Sequence, residues 1–285
     1  MLGAACLLML GAVPASAHEG EGGGDGSYLA LGDSVPFGFN PLVNPKDASN
    51  FVGYPEVVAE SLELHDVNAT CPGEATGGFL SLTGTDNVCR PYRFVFDNPL
   101  HVEYHGAQMD FVLRYLRGHP HTRLVTLTLG ANDFFRWQKD CAAKGGPTGT
   151  CLPDPATSFG VMLTTMQANL TTIFKKIRGA GYHGLIVGVT YYSLTYPVTA
   201  GADTLNRPMQ NALKAPGVNG HEASGVEAWR TTAMTQGAGS SCMAGLLIRL
   251  APGPDGCDVH PTPLGRNLLA AKVLETVAHE EGGGD

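Results

Sequence analysis

Positive charge is scarce in this chain. Its 18 Lys and Arg residues are outnumbered by 26 Asp and Glu, the formal net charge is -8, and no Lys/Arg cluster forms along it. Nucleic-acid backbones and anionic membrane surfaces are gripped by concentrated positive charge, so a nucleic-acid partner and electrostatic adhesion to anionic lipid are both excluded. No C-x-x-C pair occurs, which argues against a structural zinc site. The chain also lacks an internal repeat and a dividing linker. Its 285 residues, 43% of them hydrophobic, therefore read as one domain with a sizeable core over 27–279. Finally, the G-x-S-x-G turn of ordinary α/β-hydrolases is missing at Ser34, because Pro36 stands where glycine is needed.

No apolar run is long enough to span a bilayer, so no integral membrane contact is expected. The nearest, Leu2 to Val13, is followed by Ala15-Ser16-Ala17, a small-residue cleavage pattern, and residues 1–17 read as a secretory signal. No Lys or Arg precedes that run, so either the leader is atypical or the true start lies upstream. Cys6 has Gly3 rather than leucine three residues before it and is expected to leave with the signal instead of carrying a lipid. Residues 18–26 and 280–285 are acidic and glycine-rich and read as flexible ends.

Six cysteines then remain, an even number in an exported chain, which indicates disulfides. They fall into three local couples: Cys71–Cys89, Cys141–Cys151 and Cys242–Cys257. The reading is a secreted, oxidised monomer.

Apolar strand-like runs alternate with helical periodicity. Residues 28–31, 66–69, 123–129 and 184–190 read as strands. Helices are expected at 54–62, 108–117, 155–180 and 263–278. Residues 191–250 are the least legible, with a helix at about 205–213 and a weak element at 225–232. This alternation implies an α/β fold of three layers, α/β/α, around a central parallel sheet. All strands of such a sheet end at one edge, where open α/β folds place their sites.

Three of these strand ends carry Gly32-Asp33-Ser34, Gly73 and Gly130-Ala131-Asn132-Asp133, and Asp258-Val259-His260 precedes the last helix. Ser34 alone reads as a turn residue. Together, the four segments hold what ester hydrolysis requires: a nucleophile in Ser34, a base in His260, and oxyanion donors in the Ser34 and Gly73 N–H groups and the Asn132 amide. Glycine at 73 is expected to leave room for the tetrahedral intermediate. Asp33 and Asp133 are expected to fix their own turns.

The blocks ALGDS (30–34), NATCPGEATGGF (68–79), LTLGANDFF (127–135) and CDVHPTPLG (257–265) resemble, in order, those of the SGNH/GDSL hydrolase family, in its secreted bacterial esterase/lipase branch. The resemblance spans residues 30–265. It implies a flavodoxin-like fold, no metal or other cofactor, a serine nucleophile with donors at the positions above, and a small-molecule or lipid ester as substrate. It includes secreted members with three disulfides, in agreement with the pairing above. One block departs from it. The family's acid stands three residues before the histidine, where this chain has Cys257; Asp258 stands two before. The group orienting His260 is therefore Asp258, a main-chain carbonyl near Gly256, or Asp255.

Other candidates read as structural. His101, Glu103 and His105 lie in a Pro/Gly-framed loop and read as surface residues; His119 and His121 form a turn. Phe134, Phe135 and Trp137 read equally as acyl-pocket wall or as core. Asn68-Ala69-Thr70 and Asn169-Leu170-Thr171 match glycosylation acceptors. Two alternatives accompany the esterase/lipase reading: a carbohydrate (acetyl) esterase acting on a glycan, and a non-catalytic exported binding protein on the same scaffold. The pocket walls are expected from loops at 36–50, 136–155 and 191–222.

Overall fold

A computed structural model describes residues 26–143 and 155–282. The expected signal peptide, residues 18–25 of the acidic segment, Cys151 and the last three residues of the tail lie outside the described residues.

Five parallel strands form the central sheet: β1 (Ser27–Gly32), β2 (His65–Asn68), β3 (Thr122–Thr128), β4 (Leu185–Val189) and β5 (Gly220–Ala223). Their spatial order is β2-β1-β3-β4-β5, the flavodoxin-like order, with its switch point between β1 and β3. Alternation along the strands sorts the core into two layers. Leu29, Leu31, Val125, Leu127 and Ile186 face one side. There they meet Met109 and Val112 of α4 (Gln108–Gly118), Leu170 and Ile173 of α6 (Pro155–Gly179), and Met209 of α7 (Ala200–Leu213). Tyr28, Ala30, Leu124, Val187 and Val189 face the other side. They pack on α2 (Tyr54–Leu62), α8 (Gly225–Gln236) and α9 (Pro263–Gly282) through Val58, Trp229 and Val273. Each large side chain so buried stabilises the fold by about 2–3 kcal/mol of transfer free energy.

Several elements depart from the expectations. The start of β3, Thr122, comes one residue earlier, and α9 extends to Gly282. Glu280 and Glu281, expected in a flexible tail, are helical and pair with His221 and Arg123. Their partners sit on the sheet, so these contacts tie the last turn to it. Residues 136–143, expected to open a loop at 136–155, belong to α5 (Ala131–Ala143), and 76–80 form the short α3 (Thr76–Leu80). In the least legible region β5 escaped notice because it is a short edge strand holding His221 and Glu222. A second, antiparallel pair is made of β6 (Leu247–Arg249) and β7 (Cys257–Pro261).

Cys71–Cys89 and Cys242–Cys257 are disulfide-bonded, joining the turn after β2 to the 86–90 segment and the start of β7 to residue 242. Cys141 is also disulfide-bonded. The Cys71, Glu74 and Cys89 side chains converge, but the two sulfurs bond each other and offer no thiolate to a metal. No described helix is long and apolar enough to cross a membrane.

Candidate active site

The turn after β1 is tightly specified. Gly32 has φ +126, and a Cβ there would lie 1.9 Å from the Thr128 carbonyl oxygen. Only glycine lets β1 and β3 close so tightly at their ends. The buried Gln108 amide brackets the Gly32 peptide, accepting its N–H at 2.7 Å and donating to its carbonyl at 3.1 Å. Asp33 caps the one-turn helix α1 (Ser34–Phe37) by accepting the Val35 N–H at 3.0 Å. No hydrogen bond among the described residues takes the Ser34 N–H. Serine thus begins the helix with its amide free and its side chain on the cleft.

His260 reaches Ser34 from 226 residues away, with Nε2 2.8 Å from Oγ. Three features fix its strand. Cys257 is tied to Cys242, β7 pairs with β6, and the Tyr192 hydroxyl donates to the Val259 carbonyl. Tyr192 is itself stacked on the fully buried Trp229 at 3.6 Å between ring centroids. Asp258 lies against His260 Nδ1, and its Oδ1 also accepts the His260 N–H at 3.0 Å. The reason is the strand: side chains two apart in extended chain share a face, so the departure from the three-residue spacing is compensated by backbone conformation. The two alternatives do not reach the imidazole. The Gly256 carbonyl accepts the Leu250 and Ala251 N–H groups at 2.8 Å each, and Asp255 is exposed. A carboxylate only accepts, so the proton sits on Nδ1 and Nε2 is left to accept the Ser34 hydroxyl proton. Partial burial pushes the Asp258 pKa up, but the hydrogen bonds and charge of His260 outweigh this and hold it below the usual carboxylate value.

The expected oxyanion donors line the same cleft as Ser34 and His260. Gly73 has φ +81, and its N–H has no partner among the described residues. A Cβ there would strike Val88, with Cβ–Cβ at 2.5 Å. Glycine is thus required by the left-handed backbone and by packing on Val88, a different reason from the clearance expected for an intermediate. The Asn132 amide is set by Asn87, which donates to Asn132 Oδ1 at 3.0 Å and so turns Nδ2 toward Asp33 and the cleft. Asn87 carries no motif and was invisible in the sequence.

Neither flanking acid simply fixes its own turn. Asp133 accepts the Thr76 N–H at 2.9 Å and the Thr76 hydroxyl at 2.6 Å, tying α5 to α3. Asp33 accepts from the Tyr191 hydroxyl, and that hydroxyl takes the Ala131 N–H at 3.0 Å. One phenol at the end of β4 therefore links the Ser34 turn to the Asn132 turn. Burial pushes both carboxyls up to about 6, against the lowering by their hydrogen bonds.

The remaining candidates fall elsewhere. His101 is not a surface residue; its Nε2 is 3.0 Å from the Phe37 carbonyl and its ring packs on Phe37. His105 is exposed. Asn68 is buried, and its amide donates to Pro36 and Glu56, so it is no glycan acceptor in the folded chain. Asn169 lies within α6 and donates to Thr76. Phe134 and Phe135 line the cleft, whereas Trp137 packs on Phe134 and Phe159 beside it.

The cleft has a volume of about 610 Å³. Its walls come from Phe39, from residues 87–92, from the start of α5 and from residues 191–205. Among the described residues no lysine or arginine lines it; its carboxyl and imidazole groups are those of Asp33 and His260, beside the phenols of Tyr92, Tyr191 and Tyr192.

Buried carboxyls have a consequence for stability. Burial raises Asp66 to about 7, ahead of the repulsion from Glu56, and raises Glu74 as well. With Asp33 and Asp133, these groups bind protons more tightly folded than unfolded. The stability these groups contribute is therefore fully present below the unfolded pKa, about 4, and is lost as pH rises through the folded values of about 6 to 7. Asp66 Oδ1 has no hydrogen-bond partner among the described residues. Asp66→Asn should raise the Tm at pH 8 more than at pH 5 by calorimetry; an equal change at both would contradict the assignment.

No protein-family model matches the sequence, and no curated protein matches it. Solved structures do share its fold. A phospholipase A1 from Streptomyces albidoflavus is 17% identical and superposes with a TM-score of 0.53, over 89% of this chain and 100% of that one. An acetylxylan esterase from Geobacillus stearothermophilus is 14% identical with a TM-score of 0.51, over 90% and 95%. A lipase from a goat rumen metagenome is 15% identical with a TM-score of 0.50, over 88% and 97%.

Proposed function

We propose that this chain is a secreted carboxylic ester hydrolase of the SGNH/GDSL kind, working through an acyl-enzyme on Ser34. The observation that carries the proposal is the chain of contacts Asp258–His260–Ser34 opening into an apolar cleft. In this reading Ser34 Oγ attacks the ester carbonyl carbon while His260 Nε2 takes its proton. The oxyanion is met by the Ser34 and Gly73 N–H groups and the Asn132 amide, which line the same cleft. His260 then protonates the leaving alkoxide, and water repeats the sequence on the acyl carbon. Asp258 keeps the imidazole in the right tautomer and supports its positive charge. Export is supported by the disulfides, which persist in oxidising compartments.

The acyl side of the ester is the better match to the cleft. A sugar ring is recognised by many polar groups, and here Ser193, Thr195 and Asn87 stand among a far larger set of aromatic and aliphatic side chains. The expected result is that kcat/KM for p-nitrophenyl esters rises from acetate toward octanoate and beyond. A maximum at acetate, with activity on acetylated glycan, would favour the carbohydrate esterase instead. Labelling by a p-nitrophenyl organophosphate should add one phosphoryl group, located by peptide mass at Ser34; an adduct elsewhere would overturn the nucleophile assignment.

A further inference from the structure

Exposed apolar side chains gather at the mouth of the cleft. Val88, Phe135, Leu194, Val198 and Val259 all line it and are all exposed, Leu194 at 49% and Val198 at 71%. They come from four separate stretches of chain: the 86–90 segment held by the Cys71–Cys89 disulfide, α5, the approach to α7, and β7. Isolated exposed hydrophobics are ordinary on a protein surface. A ring of them around one opening is not, because each keeps apolar area in water at about 25 cal/mol per Å².

The ring is continuous with the interior of the cleft, so its occupant is continuous with the substrate. A cleft of about 610 Å³ lined mainly by aliphatic and aromatic groups has room for a long acyl chain. An ester with such a chain is driven out of water into aggregates by the same hydrophobic free energy. Its headgroup need carry no negative charge, since no Lys or Arg lines the cleft and the chain bears a net charge of -8. We propose that Val88, Phe135, Leu194, Val198 and Val259 form a docking ring for an uncharged lipid surface, from which a long-chain acyl ester passes into the cleft without crossing water. The proposal rests on the ester-hydrolase reading for its substrate, but the docking step is separable from the chemistry.

The test uses vesicles and a protein that cannot turn over. Ser34→Ala protein should co-sediment with phosphatidylcholine vesicles, and 0.5 M NaCl should not release it, because apolar burial is not screened. Adding Leu194→Ser and Val198→Ser should reduce the bound fraction at least about fivefold, with circular dichroism and Tm confirming the fold. Vesicles rich in phosphatidylserine should bind no better than phosphatidylcholine. Absence of binding, release by salt, preference for anionic vesicles, or equal binding by the ring variant would each overturn the proposal. Hydrolysis of soluble p-nitrophenyl butyrate by the wild type is measured alongside. Hydrolysis without vesicle binding sinks the docking ring alone. Vesicle binding without hydrolysis sinks the ester-hydrolase reading and leaves the ring standing.

Discussion

Ser34→Ala is expected to lower kcat for p-nitrophenyl butyrate on the order of 10⁵-fold while leaving the Tm within about 2 °C. The large loss follows from the covalent route proposed for Ser34. Without Oγ there is no acyl-enzyme, and what remains is the donor cluster and binding acting on a water molecule. The fold should survive because the turn does not depend on the hydroxyl. Gly32 makes the close approach to Thr128, Asp33 caps Val35, and Gln108 brackets the Gly32 peptide. The hydroxyl itself meets His260 Nε2. Hydrolysis equal in wild type and variant would exclude Ser34 as nucleophile. Hydrolysis absent from both, over the whole ester series, would return the chain to the alternative of an exported binding protein.

The second large effect concerns the acid. Asp258→Ala is expected to lower kcat by about 10²-fold or more, with KM changed little. The carboxylate touches His260 Nδ1 and holds the tautomer that leaves Nε2 free to accept. Its support is worth most when the imidazole is charged, in the transition state, so the loss belongs in kcat. Asp258 is partly exposed, and water can replace some of that support, which keeps the expected loss below that for Ser34. A loss below tenfold would mean that a carbonyl or solvent orients the imidazole. Asp258→Asn sharpens the test: it preserves size and some hydrogen bonding but removes the charge. It should therefore recover little of the lost rate.

Asn132 illustrates how such a site depends on neighbours that bear no motif. Its Nδ2 can meet an oxyanion because Asn87 donates to its Oδ1, and Asn87 sits in the 86–90 segment that the Cys71–Cys89 disulfide ties back to the β2 turn. Losing one preorganised donor of this kind costs roughly 2.7–4 kcal/mol of transition-state stabilisation. Tyr191 acts in the same indirect way, bridging Asp33 and the Ala131 amide.

The order of β1 to β4 and of α2, α4, α6 and α9 was legible because it is written in local periodicity. Leu29, Leu31, Val125 and Leu127 alternate on one face, and Leu170, Ile173 and Ile177 recur at helical spacing, whatever lies around them. The glycine-ended strands were legible for the same reason, and with a parallel sheet they required one common edge. That much placed Ser34, Gly73 and Asn132 in a single cleft. The last member could not be placed this way. Whether Asp258 reaches His260 depends on whether residues 257–261 are extended, and their extension is imposed by pairing with β6 and by the tie to Cys242. In a helix or a turn the same two residues would diverge. Asn87, Gln108 and Tyr191 were equally out of reach, because their partners lie 45, 76 and 158 residues away. Ser34 alone was an ordinary turn residue by its sequence; the tertiary structure brings the imidazole to within 2.8 Å of its hydroxyl.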